Sequence, residues 1–179
     1  MKARFSLTCV LALLLLALPG TALAQDRRDV RLADDIGRTI LEYTRLTIFD
    51  NIDARVENGV VTLEGKVTMP FKRDDIEKRI TRVDGVRSVR NDIEVLPVSP
   101  FDDELRYRVA RAIYGNASFW TYASMANPPI HIIVERGHVT LAGVVNSNVE
   151  RMLARSLATG LGELSVTNAL KTDAEAKTE

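Results

Sequence analysis

One segment of this chain occurs twice, and this repeat constrains the fold more than any other feature. Val56–Val67 matches Val134–Val145 at eight of 12 positions, including the shared glycines and the T-L pair. Further positions recur downstream, with Gly85, Val89, Asn91 and Ile93 matching Gly162, Val166, Asn168 and Leu170. Upstream, the apolar pair Ile36 and Ile40 is matched with Leu105 and Val109. Repetition at this spacing predicts two copies of one structural unit.

The matches divide the chain into segments. We expect one unit over residues 25–95 and a second over residues 101–171. Residues 96–100 contain two prolines, which predicts a short, stiff linker. The last residues, Thr172–Glu179, are polar, and we expect them to be disordered.

Each unit has the pattern helix–strand–strand–helix–strand. Helical spacing of Ile36, Ile40 and Leu41 predicts a helix over residues 34–45, which Asp34 or Asp35 would cap. Asn58–Gly59 between two alternating segments predicts a type I′ hairpin. The return strand, a second helix and a last strand then form a crossover. The pattern predicts an α+β protein with two tandem αββαβ domains, each a mixed three-stranded sheet with both helices on one face.

Two strand glycines require an explanation. Gly65 and Gly143 occupy inward-facing positions of the return strands, beside Leu63 and Leu141. We expect a helix to pack too closely there for a side chain.

The N-terminus has the pattern of a secretory signal peptide. Met1–Ala24 contains Lys2 and Arg4, then an apolar run, then small residues before Gln25. Cleavage after Ala24 removes the only cysteine, Cys9, and leaves 155 residues with 22 basic and 24 acidic side chains, a net charge of −2. A membrane anchor and lipidation at Cys9 are the alternatives. We expect an exported protein of the periplasm.

The repeated motif resembles the BON domain (bacterial OsmY and nodulation), present in tandem. The resemblance depends in the first copy on Gly59, Val61, Leu63, Gly65, Val67, Gly85, Val86, Val89, Asn91 and Ile93. The second copy carries it on Gly137, Val139, Leu141, Gly143, Val145, Gly162, Val166, Asn168 and Leu170. Glu163 departs from the pattern, where the first copy has Val86. The resemblance implies an osmotic- or envelope-stress protein that binds phospholipid surfaces, and its motif residues are structural.

The residues offer little for catalysis. After cleavage no thiol remains, and His131 and His138 have no serine or carboxylate at triad spacing. Paired carboxylates such as Asp102–Asp103 lie near helix starts, where they favour capping. We expect no enzyme, no cofactor and no metal site. The balanced charge excludes a strongly basic nucleic-acid binder.

The copies differ by an aromatic insertion. From Val109 to Ile130 the second copy has 21 residues, where the first has 12 between Ile40 and Ile52. The segment Gly115–Pro129 contains the only Trp. We take as candidate contact residues Arg108, Arg111, Phe119, Trp120 and Tyr122.

Arginines beside aromatic rings are typical of membrane interfaces and of protein hot spots. The partner would therefore be an anionic phospholipid surface. Alternatively, the chain would be a protein-interaction or chaperone-like module whose partner is an envelope protein. A sugar stacked on Trp120 is a third possibility, and folding of the insertion into an enlarged core is the structural alternative. The charged run from Lys72 to Arg90 in the first copy favours a solvated face with i,i+4 ion pairs.

Overall fold

The computed structural model describes residues 20–177. The predicted signal peptide lies outside the described residues except for its last five, which begin the first helix. The first unit contains α1 (Gly20–Leu41), β1 (Asn51–Glu57), β2 (Val60–Val67), α2 (Pro70–Ile80) and β3 (Ser88–Val95). The second contains α3 (Pro100–Tyr114), a 3-10 turn (Ala117–Phe119), α4 (Trp120–Ala123), β4 (Ile130–Glu135), β5 (His138–Val145), α5 (Asn148–Leu157), β6 (Ser165–Thr172) and α6 (Asp173–Ala176).

The two sheets have the same topology. In the first unit β2 is central, antiparallel to β1 and parallel to β3, and the second unit repeats this arrangement. At the hairpin turn Asn58 has φ 53° and Gly59 has φ 75°, as a type I′ turn requires. The predicted α+β fold of two tandem αββαβ units is confirmed.

Both helices of each unit cover the same sheet face. In the first unit Ile36 of α1 and Ile76 of α2 are fully buried with Leu63 of β2. The second unit buries Val109 of α3 in the same way against Leu141 of β5. Removing a large aliphatic side chain from water contributes about 1.5–3 kcal/mol, so these helix–sheet contacts hold each unit together. No helix among residues 20–177 combines the length and apolarity that crossing a membrane requires.

One aspartate in α1 and one in α3 show how the copies correspond. Asp29 accepts hydrogen bonds from the backbone N–H groups of Asn58 (2.7 Å) and Gly59 (3.1 Å). Asp102 binds the same two positions of the second hairpin, at 2.8 Å each. The equivalent of Leu105 and Val109 is therefore Leu32 and Ile36. The sequence analysis matched Ile36 and Ile40 with Leu105 and Val109, and this alignment is wrong by one helical turn.

The same correction removes the predicted helix start. Helix α1 begins at Gly20 and ends at Leu41, instead of covering 34–45. Asp34 and Asp35 therefore lie within the helix and cap nothing, whereas Ser99 caps α3 by accepting a hydrogen bond from the Asp102 N–H.

Gly65 is required for a different reason from the predicted one. It has φ +125°, and a Cβ there would lie 2.2 Å from the backbone oxygen of Asn51 on the neighbouring strand. Gly143 has φ +110° and would meet the oxygen of Pro129 at 1.9 Å. Backbone conformation and the partner strand exclude a side chain at both positions, and no helix is involved.

The two units pack against each other through the loop that follows α1. The N–H of Ile132 on β4 donates to the carbonyl of Ile48 at 2.6 Å, so this loop covers an edge of the second sheet. Ile48 and Phe49 pack on the second core, and the Phe49 ring meets Tyr107 edge-on at 5.3 Å. Lys66 of the first unit also forms an ion pair with Glu135 of the second.

The segments around the second unit are ordered by specific contacts. Leu96 of the predicted linker is buried and donates its N–H to the Val67 carbonyl, and Pro100 begins α3. In the predicted disordered tail, Asp173–Ala176 forms one helical turn, closed by a capping box between Thr172 and Glu175.

Candidate functional site

The aromatic insertion is shorter than the sequence match indicated. With Ile113 as the equivalent of Ile40, 17 residues lead to Ile130 where the first unit uses 12 to reach Ile52, so five are added. The Tyr114 hydroxyl donates to the Ile130 carbonyl at 2.6 Å and accepts from the Ile130 N–H at 3.2 Å. Burial raises the pKa of Tyr114, so this hydroxyl stays protonated and closes the base of the insertion.

Two of the predicted contact residues belong to the core. Phe119 is fully buried and Tyr122 nearly so, and both pack in the cluster that contains Ile113 and Ile130. The Tyr122 hydroxyl donates to the Glu150 carboxylate at 2.7 Å. Burial, with the adjacent Glu150, raises the pKa of Tyr122 to about 12. The expectation that these rings contact a partner is corrected, since the structural alternative holds for both.

Trp120 lies outside this core. Its side chain is 76% exposed, although both neighbouring aromatic residues of the insertion are buried. Met125, at the other end of α4, is also exposed. The insertion thus divides into buried rings that fix its position and an exposed indole that they present to solvent.

The two predicted arginines point to different parts of the second unit. The Arg108 guanidinium lies against Gly162, where its Nη1 would be 3.2 Å from a Cβ at that position. Gly162 precedes β6 at the hairpin end of the sheet, whereas Trp120 follows the opposite end of α3. Arg111 is exposed in the last turn of α3, four residues before Gly115. Only Arg111 therefore remains a cationic candidate beside the insertion.

A basic surface at the end of α2 was missed because its carboxylates appeared to neutralise it. Among the described residues α2 forms none of the expected i,i+4 ion pairs. Asp75 instead accepts from the Tyr43 hydroxyl at 2.8 Å, and Glu77 accepts from Asn91 at 2.9 Å. The exposed cations left at this helix end, which we call the α2 basic surface, are Lys78, Arg79 and Arg82.

Contacts connect the α2 basic surface to the insertion. The Arg79 guanidinium lies 4.9 Å from the centroid of the Tyr43 ring. Two residues earlier, the Leu41 carbonyl accepts a hydrogen bond from Asn127 of the insertion at 3.2 Å. Because two residues span at most about 7 Å, Arg79 of the basic surface lies near the Asn127 end of the insertion. The Leu41 side chain is exposed.

A buried ion pair stabilises the loop that follows α1. Lys72 Nζ donates to the Asp50 carboxylate at 2.6 Å, and both side chains are buried. Burial acts to raise the pKa of Asp50, but hydrogen bonds from Lys72, Thr68 and Thr47 outweigh it and lower the pKa.

His131 borders the same loop from the second unit, and its buried Nδ1 has no hydrogen-bond partner among the described residues. Burial lowers the pKa of His131, opposed by the nearby backbone carbonyls of Asp50 and Thr47 and by the carboxylates of Asp50 and Asp53. His138 instead contacts Ser165 at 2.7 Å. Within residues 20–177 no three His, Cys, Asp or Glu side chains converge to hold a metal ion.

Comparison with known proteins identifies the repeated unit. The family model described as BON domain matches residues 28–97 and again residues 102–174. No curated protein matches the sequence.

The similar solved structures include two of CdsD, a structural protein of the type III secretion system of Chlamydia trachomatis. One is 16% identical, covers 83% of this chain and 96% of that chain, and has a TM-score of 0.29. The other, its C-terminal domain, is 15% identical, covers 79% and 96%, and has a TM-score of 0.30. Similarity at this level carries no argument about function.

Proposed function

The chain belongs to the BON-domain family, whose members are generally non-catalytic modules associated with the cell envelope, and from this premise we propose that it binds anionic phospholipid surfaces as a peripheral protein. We place it in the periplasm after cleavage behind Ala24, and we assign it to the response to osmotic or envelope stress. It needs no cofactor for this role.

The exposed indole of Trp120 carries the proposal. Trp120 is 76% exposed, so most of its apolar surface is in contact with water, which is unfavourable. Its amphipathic ring favours the boundary between headgroups and acyl chains. Phe119 and Tyr122 are buried directly beside it, so the indole is presented without a large entropic cost of ordering the loop.

Local positive charge supports the choice of an anionic surface. A mature chain of net charge −2 would be repelled by such a surface unless basic residues cluster where contact occurs. The α2 basic surface lies near the Asn127 end of the insertion, and Arg111 is exposed in the last turn of α3, just before the insertion. Each basic residue close to an anionic membrane contributes about 1 kcal/mol.

Vesicle sedimentation tests the proposal. We expect the protein to sediment with vesicles that contain anionic phospholipid, to bind neutral vesicles less, and to dissociate as salt is raised. Trp120→Ala should weaken binding by about 1–3 kcal/mol, the contribution of one large apolar side chain.

Leu164→Ala provides the matched control, because Leu164 is 73% exposed at the hairpin end of the second unit. It should bind as the unmodified protein does. Absence of binding to anionic vesicles would contradict the proposal and would favour the alternative, a protein partner at the same exposed indole.

A further inference from the structure

A pocket with a volume of about 420 Å³ lies at the hairpin end of the first unit, between α1 and the turn that joins β1 to β2. Three exposed arginines line it, which are Arg28, Arg31 and Arg87. The planar guanidinium group matches the oxygen pairs of carboxylates and phosphates, and it keeps its charge at any physiological pH. Three such groups around one pocket indicate a site for an anion.

The hairpin turn holds Arg87 in place. The Arg87 N–H donates to the Gly59 carbonyl at 2.8 Å, and its Nη1 lies 3.4 Å from the Asn58 carbonyl oxygen. A Cβ on Gly59 would lie 2.9 Å from Cδ and 3.0 Å from Cγ of Arg87. The arginine side chain therefore extends across the turn, over a position where only glycine leaves room for it.

The carboxylates that line the pocket do not neutralise its arginines. Asp29 is engaged by the N–H groups of the hairpin, and Asp35 forms an ion pair with Arg38. Within residues 20–177 none of the three arginines forms an ion pair. Asp84 is the remaining carboxylate of the pocket, so three cations face one carboxylate that has no other partner.

The second unit shows that the fold does not require Arg87. Leu164 occupies the equivalent position, because its N–H donates to the Gly137 carbonyl at 2.7 Å. Its Cγ would lie 3.1 Å from a Cβ on Gly137, as Arg87 lies against Gly59. A leucine thus fills the same place on the same turn.

The other two arginines are also particular to the first unit. The match between the aspartates of α1 and α3 places Phe101 at the position of Arg28, and Glu104 at that of Arg31. At these three positions the first unit has only cations and the second has none. The cations therefore belong to a function of the first unit rather than to the framework that both units share.

We propose that this pocket binds a phosphate monoester, whose oxygens pair with the guanidinium groups of Arg28, Arg31 and Arg87. A phosphate monoester carries about 1.5 to 2 negative charges near neutral pH and three accepting oxygens, whereas a carboxylate carries one charge. The volume also accommodates a small organic group attached to the phosphate. The same chemistry occurs in soluble esters and in lipid headgroups, and the site does not depend on the Trp120 surface.

An NMR titration with glycerol 3-phosphate tests the site. We expect the amide signals of Gly59 and Gly85, which line the pocket, to shift and to saturate as one molecule binds per chain. The amide signal of Gly137, at the matching turn of the second unit, should stay in place. Glycerol lacks the phosphate and should shift none of the three signals.

Variants of single charges make the test specific. Arg87→Gln should weaken glycerol 3-phosphate at least fivefold, because it removes a charge-assisted contact. Arg90→Gln is the matched control, since Arg90 is exposed three residues further on but pairs with Asp92 outside the pocket, and it should bind within twofold of the unmodified protein. Asp84→Asn removes the opposing carboxylate and should strengthen binding at least twofold.

The proposal is overturned if no signal shifts to saturation, if Gly137 moves as far as Gly59, or if the two arginine variants are weakened equally. Once glycerol 3-phosphate binds, sedimentation with phosphatidic acid vesicles identifies the carrier of the phosphate. Weaker sedimentation of Arg87→Gln assigns it to a lipid headgroup, and unchanged sedimentation assigns it to a soluble ester. Trp120→Ala should leave the titration unchanged, so failure of this site and failure of the proposed vesicle binding are distinguishable.

Discussion

The Tyr122 hydroxyl donates a hydrogen bond to the Glu150 carboxylate over 2.7 Å, and this contact ties the aromatic insertion to helix α5. The same hydroxyl accepts the N–H of Asn146 at 3.0 Å, so one buried group satisfies two partners. Tyr122→Phe should lower the free energy of unfolding by about 1–3 kcal/mol, because it removes a hydrogen bond to a charged group and leaves the Glu150 carboxylate with only the Asn146 N–H, at 3.0 Å. Urea unfolding with an unchanged midpoint would show that the contact contributes nothing.

Substitutions at neighbouring aromatic positions of the insertion should differ in their effect on stability. Phe119→Ala removes a fully buried ring and should cost about 3–5 kcal/mol of unfolding free energy. Trp120→Ala removes an exposed one and should change stability by less than about 0.5 kcal/mol. Denaturant unfolding of the two variants measures both values, and a large loss for Trp120→Ala would place the indole in the core.

Replacing Gly65 tests the backbone explanation for the strand glycines. Gly65→Ala should destabilise by more than about 2 kcal/mol, because it combines a φ of +125° with a 2.2 Å approach to the Asn51 oxygen. Gly37→Ala is the control within α1, where nothing lies within 4 Å of the added Cβ, and it should be neutral or slightly stabilising. Equal melting temperatures for the two variants would refute the explanation.

Truncating one partner of the buried Asp50–Lys72 ion pair should strongly destabilise the protein. Lys72→Met leaves the Asp50 carboxylate buried without its cation and should cost about 3–5 kcal/mol. The lowered pKa of Asp50 means that its unfolded form binds protons first as pH falls. Its stabilising contribution is therefore present above its usual pKa of 3.8 and is lost as pH falls through the lowered value. Unfolding curves recorded between pH 7 and pH 2 measure this dependence.

His131 should add a second, milder dependence on pH. Its pKa is lowered by burial from the usual 6.5, so the unfolded chain is protonated before the folded one. The contribution of neutral His131 is present above pH 6.5 and is lost as pH falls toward the lowered value. His131→Phe should reduce the loss of stability over that range, as followed by thermal unfolding. An unchanged slope would contradict the burial of the imidazole.

The repeat predicted the sheets because strand alternation and the Asn58–Gly59 turn are local signals. The helix correspondence failed because apolar residues recur every three or four positions, so a shift of one turn fits almost equally well. Leu32 was overlooked, and only the contact of Asp29 with the hairpin fixes the match. The spacing of apolar residues predicts the type of an element, but tertiary contacts are needed to align the helices of the two copies.

The candidate site depended still more on tertiary structure. Phe119, Trp120 and Tyr122 are alike in sequence terms, and only packing against Ile113 and Ile130 distinguishes the buried rings from the exposed one. The contact between the units is formed partly by Ile48, whose carbonyl pairs with β4. Nothing in the pattern around Ile48 predicts that partner.

The fluorescence of Trp120 during titration with anionic phospholipid vesicles tests the account most directly, because this is the only Trp in the chain. We predict an emission typical of a solvent-exposed indole in buffer, and a shift to the blue as vesicles are added, when the ring moves from water to the headgroup boundary. The shift should weaken in high salt. An emission already blue in buffer, or one that vesicles leave unchanged, would contradict the assignment of Trp120 as the membrane-contacting residue.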